Sequence, residues 1–341
     1  VPMRAGPDET DRPFGYNVAP AAGGSRPGGN RCEFAWNCEE NVPVSADACE
    51  VKRILFVAPE LEARGTNEYI VHMAPELKSR GVAVGVFCAP GAMLALVQRK
   101  DVPLETFERL GRMGFRHSER KRLIRLIRQF NPQILHAQTV RVAKVLRRIA
   151  AEVRAPIVLT MHAPPRRVRA FRRVSRHLAG IIATSQDVRE ELVNDCRVEK
   201  SKITVIPNGT DVEEIASQPS RAIFSSGVPV VGCVGPVEHA RGHELFVRAA
   251  AKIARKGRQL QFVVAGEGKQ LPHLHKLGTK LGLDNCLTFA RDFSSYADVL
   301  DALDVVVQSA QVDVSGYSIL DAMAHGRPVI AFNTGTACEM I

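Results

Sequence analysis

At 341 residues, with 45% hydrophobic and 24% charged side chains, the chain has a globular composition and room for two domains. Its longest apolar runs, such as PIVLTM (156–161) and LAGIIAT (178–184), fall far short of the ~18 residues that span a bilayer, and its eight cysteines include no C-x-x-C pair, which removes zinc-ribbon and thioredoxin readings. The net charge of +10 is uneven: residues 109–176 hold 19 Lys or Arg against two acids, and +17 there leaves −7 for the rest.

Residues 1–50 contain 12 Gly or Pro and no hydrophobic periodicity, so disorder is expected there, and no apolar core of signal-peptide type is present. The segment VKRILFVAPE (51–60) opens the ordered chain as a buried strand. EYIVHMAPELKSRG (68–81) follows as a helix closed by Gly81, and VAVGVFCAP (82–90) as a second strand. Strand, helix and strand within about 40 residues make a βαβ unit of a parallel sheet. The alternation continues through the helix HSERKRLIRLIRQF (117–130), with Leu123, Ile124, Ile127 and Phe130 on one face, and the strand PQILHAQ (132–138). VAKVLRRIAAEVR, APIVLTMHA, a second basic helix, GIIATS, QDVREELVNDC and KITVIPNG complete a domain over 51–214. A linker without periodicity covers 215–227. A second alternating domain over 228–341 has strands VPVVGCVG, QLQFVVAG, NCLTFAR, DVVVQSA and RPVIAFN, with helices HELFVRAAAKIARKG, KQLPHLHKLGTKLG, YADVLDAL and YSILDAMAHG between them. The fold class is α/β: two tandem Rossmann-like, doubly wound domains with parallel sheets and a ligand crevice at their carboxyl ends.

Two aspartates eight positions apart, Asp313 and Asp321, bracket the start of the helix YSILDAMAHG, and a helix start attracts phosphate through its N–H groups. Taken alone, the pair reads better as a solvated helix with an acidic start and one exposed Asp. Cysteines in strands act as small hydrophobes. His239 and His243 have metal-like spacing, as does the pair His273 and His275, but no third ligand accompanies either, so surface histidines are expected. No Asp-x-Asp occurs, and no metal is expected.

VIPNGTD (205–211), VGPVEHARG (234–242), FVVAGEG (262–268) and ILDAMAHGRPVIAFNTGTACE (319–339), in this order, resemble the retaining glycosyltransferases of family four (group 1), which have the GT-B fold. ILFVAPE, Met73-Ala74, Leu77, ILHAQ, LTMHA and IIATS extend the likeness over residues 52–341. The resemblance implies a hexosyltransferase of carbohydrate biosynthesis that moves a sugar from a nucleotide diphosphosugar to an acceptor with retention of configuration. The first domain then receives the acceptor and the second holds the nucleotide. It places Asp321 at the ribose hydroxyls, Asp313 and His162 beside the donor sugar, and Gly316, Tyr317 and Ser318 at the diphosphate. Arg241 becomes its cation, with Gly235 and Gly266 bordering the nucleotide and Gly65 in the first domain's glycine loop. No cofactor beyond the donor substrate is implied. His136 reads as structural.

The sequence departs from the family at several points. Aspartates replace the usual glutamates, shortening each arm by roughly 1.5 Å. Pro236 stands where an arginine is usual, Arg241 where a lysine is, Arg64 where a glycine is, and Asn67 where an acid is common. The chain stops just past Glu339, where members continue, so a fragment is expected. The alternatives are a non-catalytic GT-B protein with a degraded phosphate site and a sugar-nucleotide epimerase. The expected location is cytoplasmic. The +17 region is read either as a solvated face or as a peripheral contact with anionic lipid at the inner membrane face, where a lipid-linked acceptor would be met. The absence of interleaved aromatics argues against nucleic acid.

Overall fold

The computed structural model describes residues 16–19, 51–61, 68–91, 93–108, 110, 117–216, 227–291, 296–310 and 316–341. The chain divides into two compact units, Ala22–Asn208 and Gly209–Ile341, the latter joined by Val1–Ala21. Within residues 1–50 the described segment is Tyr16–Ala19 (β1), an edge strand of the second unit.

The first unit alternates β2 (Arg53–Val57), α1 (Glu68–Ser79), β3 (Ala83–Cys88), α2 (Leu94–Arg99), β4 (Leu104–Thr106), α3 (His117–Phe130), β5 (Ile134–Ala137), α4 (Val140–Val153), β6 (Ile157–Met161), α5 (Val168–Ser175), β7 (Gly180–Ala183), α6 (Gln186–Asn194) and β8 (Ile203–Val205). Its seven strands are all parallel, in the order β4-β3-β2-β5-β6-β7-β8. Successive side chains of a strand face opposite ways, and β2 shows the consequence. Leu55 and Val57 pack with α3, α4 and α5 through Leu123, Ile127, Leu146 and Phe171, while Phe56 packs with α1 and α2 through Ile70, Ala74 and Val97. Both faces are therefore covered. Thr139 and Ser185 cap α4 and α6 by accepting from the Val142 and Val188 amides, each at 3.2 Å. The short elements α2 and β4 do not follow from sequence periodicity, since six and three residues are too few to show a repeat.

The second unit runs α7 (Val212–Ala216), β9 (Val230–Val234), α8 (His243–Ala254), β10 (Gln261–Ala265), α9 (Leu271–Lys280), β11 (Leu287–Ala290), α10 (Tyr296–Asp301), β12 (Val305–Gln308), α11 (Tyr317–Ala324), β13 (Val329–Phe332) and α12 (Ala337–Met340). The sheet order is β1-β13-β12-β9-β10-β11, parallel except for β1, which pairs antiparallel with β13. Val230, Val263, Val306 and Ile319 form one core layer, and Cys233, Phe246, Phe262 and Leu274 the other. One expectation fails here. His243 is not a surface histidine but 3% exposed. It heads the stripe Phe246, Val247, Ala250 and Ala251, and positions three, four, seven and eight apart share a helix face.

Candidate active site

In the second unit the chain steps outward from β9 to β10 and β11, then returns to the other side of β9 for β12 and β13. The winding direction reverses between β9 and β12, and beyond the carboxyl ends of such a strand pair lies the ligand position of parallel α/β sheets. Gly235 and Pro236 follow β9 there, Ser309 and Ala310 follow β12, and Gly316 opens α11.

Backbone contacts join the loops after β9 and β10. The Gly235 amide donates to Ala265 at 2.9 Å, and the Val237 amide to Glu267 at 2.7 Å. Gly266 has φ of +145°, and a Cβ there would lie 2.0 Å from the Gly235 carbonyl oxygen, so only glycine allows this approach. Arg241 closes a 3-10 turn, His239–Arg241, ahead of α8 and is half-buried. Its carbonyl accepts from Ser309 Oγ at 3.3 Å. Gly316, with φ of +68°, caps α11 without a side-chain hydrogen bond, so Tyr317 and Ser318 are the first helical residues. The Ser318 hydroxyl is held by Gln308 Nε2. Asp321 begins the second turn of α11, half-buried, and its Oδ1 accepts from Thr210 Oγ1 at 3.4 Å. Asp313 lies outside the described residues, as do Gly65, Arg64 and Asn67. The structure thus brings Gly235, Arg241, Gly266, Gly316, Tyr317, Ser318 and Asp321 to one unit, with Arg241 and Ser318 each tied to the end of β12.

His162 belongs to the first unit, at the carboxyl end of β6. There the winding reverses between β2 and β5. The register pairs Phe56 with His136 and His136 with Val158, so Phe56, His136 and Gln138 line one sheet face beside Thr160 and His162. Tyr69 of α1 covers this layer, its ring edge-on to His136 and His162 at centroid distances of 5.7 and 5.6 Å. Burial pushes His136 down to about 3, with His162 adding to the effect, and pushes His162 down to about 4. Both imidazoles are neutral near pH 7. His162 Nδ1 faces Asn208 Nδ2 at 3.5 Å, which makes Nδ1 the acceptor and puts the proton on Nε2. That Nε2 atom is buried without a protein partner, and so are both polar atoms of the Gln138 side chain, which is 2% exposed.

Gln138, Gln308, Ser309 and Thr210 escaped the sequence reading. For Gln138, Gln308 and Ser309 the available signal was position, because each stands at or just past the carboxyl end of an apolar strand, whereas Thr210 lies in the loop between β8 and α7. Among the described residues, no group of three or more His, Cys, Asp or Glu gathers as a metal site, and no helix is long and apolar enough to cross a membrane.

The family profile described as Glycosyltransferase Family 4 matches residues 63–214, and that described as Glycosyl transferases group 1 matches 228–341. A 2-deoxystreptamine glucosyltransferase of Streptomyces kanamyceticus is 27% identical over 49% of this chain and 46% of its own length. A D-inositol 3-phosphate glycosyltransferase of Kribbella flavida is 24% identical over 80% of this chain and 76% of its own. The chain spans less than half the length of the first curated relatives it matches. Among solved structures, Anabaena HepE in complex with UDP and glucose has a TM-score of 0.71 at 21% identity, covering 85% of this chain and 83% of its own. Sucrose-phosphate synthase of Thermosynechococcus elongatus has a TM-score of 0.61 at 18% identity, covering 82% and 81%. These likenesses agree with the expected GT-B type fold of two parallel-sheet α/β domains.

Proposed function

The chain belongs to the group 1, family four glycosyltransferases, and from that premise we propose that it transfers a hexosyl unit from a nucleoside diphosphate sugar to a hydroxyl-bearing acceptor, with retention of configuration. The observation that carries the reading is the convergence, at the β9/β12 switch point, of two glycine loops, Arg241 and the start of α11. A helix start provides N–H groups and positive potential for a diphosphate. Gly316, Tyr317 and Ser318 supply that start here, and Asp321 accepts from the ribose hydroxyls. As the anomeric carbon–oxygen bond breaks, the departing diphosphate gains negative charge, which the Arg241 guanidinium meets with paired hydrogen bonds and no metal. The family resemblance assigns Asp313 and His162 to the donor sugar. The acceptor binds the first unit, where Gln138 offers a donor and an acceptor to a sugar or cyclitol hydroxyl. Neutral histidines in that layer favour hydroxyls over phosphate. HepE is described as bound to UDP and UDP-glucose, which supports a UDP-linked hexose donor.

The family match favours transfer over epimerisation. The non-catalytic reading rests on one residue: Pro236 follows Gly235 at the switch point and has neither a charge nor an N–H to offer. We place the protein in the cytoplasm with its arginine-rich helices on an anionic membrane face, where a lipid-linked acceptor is within reach.

Isothermal titration with UDP, GDP and ADP tests the donor site. One of them is expected to bind, and Asp321→Ala is expected to weaken that binding at least tenfold, about 1.4 kcal/mol. Equal affinity in the variant, or binding of none of the three to the wild type, would sink the assignment.

A further inference from the structure

We propose that Gln308 and Ser309, at the end of β12, are positioning residues that hold the two sides of the nucleotide site in register across the β9/β12 switch point. This rests on the nucleotide-sugar reading above. Ser309 is 3% exposed and its hydroxyl donates to the Arg241 carbonyl at 3.3 Å. The Cys233 thiol lies 3.5 Å from the same hydroxyl oxygen and can donate to it, which leaves the hydroxyl proton for Arg241. The backbone makes a second link. A Cβ on Gly242 would stand 1.8 Å from the Ser309 carbonyl oxygen, so the residue after Arg241 lies directly on β12's end. Gln308, 7% exposed, reaches the other way. Its Nε2 donates to the Ser318 hydroxyl in the first turn of α11, while its Oε1 accepts from the Ala310 amide at 3.4 Å.

Two adjacent buried polar side chains thus point to the two elements on which the proposed diphosphate contacts are mounted. A strand end needs neither group for packing, since an apolar side chain would fill the space without the desolvation cost that a buried polar group risks when unpaired. Each instead fixes one wall of the site. Ser309 sets where the Arg241 backbone stands, and so where its guanidinium can reach. Gln308 sets the start of α11 against the strand that precedes it. Neither touches the nucleotide in this arrangement.

Two double-mutant cycles on the whole chain test this, read by titration with UDP, GDP or ADP, whichever binds. Ser309→Ala is expected to weaken binding roughly three- to tenfold, the worth of one buried hydrogen bond. Ser309→Ala combined with Arg241→Ala is expected to bind no more weakly than Arg241→Ala alone, because the serine acts through the arginine. Ser309→Thr, which keeps the hydroxyl, is expected to restore affinity. Gln308→Leu, Ser318→Ala and their combination are expected to show one common loss. Additive losses in both cycles, or wild-type affinity in Ser309→Ala and Gln308→Leu, would overturn the positioning roles while leaving the nucleotide site standing. A wild type that binds none of the three nucleotides removes the donor reading and this proposal with it.

Discussion

His136 Nε2 lies 2.7 Å from Thr160 Oγ1 in the first unit, beneath Tyr69 and stacked on Phe56 at a centroid distance of 4.9 Å. This imidazole and those of His162 and His243 are kept neutral by burial, at about 3, 4 and 4. Unfolded histidine titrates near 6.5. Above that value both states are neutral and stability is complete. As pH falls below 6.5 the unfolded chain takes up protons that the folded chain refuses down to about 4, so stability declines in this window by about 1.4 kcal/mol per pH unit for each such histidine. Urea unfolding between pH 7.5 and 5 is expected to show the decline, and His136→Phe to shallow its slope. A flat profile would contradict the buried neutral layer.

The contact of Gly266 with the Gly235 carbonyl makes a sharp comparison of two glycines available. Gly266→Ala meets a backbone oxygen at 2.0 Å and is expected to cost roughly 3 kcal/mol or more, with loss of nucleotide binding. Gly257 also has positive φ, +69°, but nothing lies within 4 Å of a Cβ there, so Gly257→Ala should cost only the roughly 1–2 kcal/mol of left-handed strain. Thermal unfolding of the two variants checks the difference, and equal costs would show that the loops are not in backbone contact.

Gln138 separates stability from activity. Replacing a buried, unpartnered carboxamide by an apolar group of similar size is neutral or stabilising. Gln138→Leu is therefore expected to melt no lower than wild type while the KM for the acceptor rises about tenfold or more, the loss of a hydroxyl contact. A lower melting temperature with unchanged KM would make Gln138 a structural residue.

The helices α3, α4 and α5 pack side by side in the first unit. Part of their charge is engaged internally: Arg120 pairs with Glu152, Arg122 with Glu105 at 2.6 Å, and Arg172 donates to the Cys196 and Asp195 carbonyls. Arg125, Arg147, Arg148, Arg169 and Arg173 are exposed. Sedimentation with anionic vesicles is expected to capture the protein at low salt and to release it toward about 0.15 M, where screening shortens to about 8 Å. Arg125→Glu with Arg169→Glu and Arg173→Glu should abolish capture. Binding that ignores salt, or none at low salt, would return these arginines to a solvated face.

The longer alternating strands and helices of both units were determined by the sequence alone, because a period of two or 3.6 is a local property that each segment carries by itself, whereas β1, α2 and β4 are too short to show one. Leu123, Ile124 and Ile127 on the buried face of α3 were legible for that reason. The family likeness was legible too, from short motifs in a fixed order. Tertiary structure alone decided the partners. Asp321 meets Thr210 from 111 positions away, and Ser309 meets Arg241 from 68 away. Such pairs leave no periodic trace, since sheet order and register bring them together. His243 is a different case: expected at the surface because no third metal ligand accompanies it, it heads the apolar stripe Phe246, Val247, Ala250 and Ala251 and is buried with it. A stripe names the face a helix buries, but only the packed sheet decides which side chains it is pressed against.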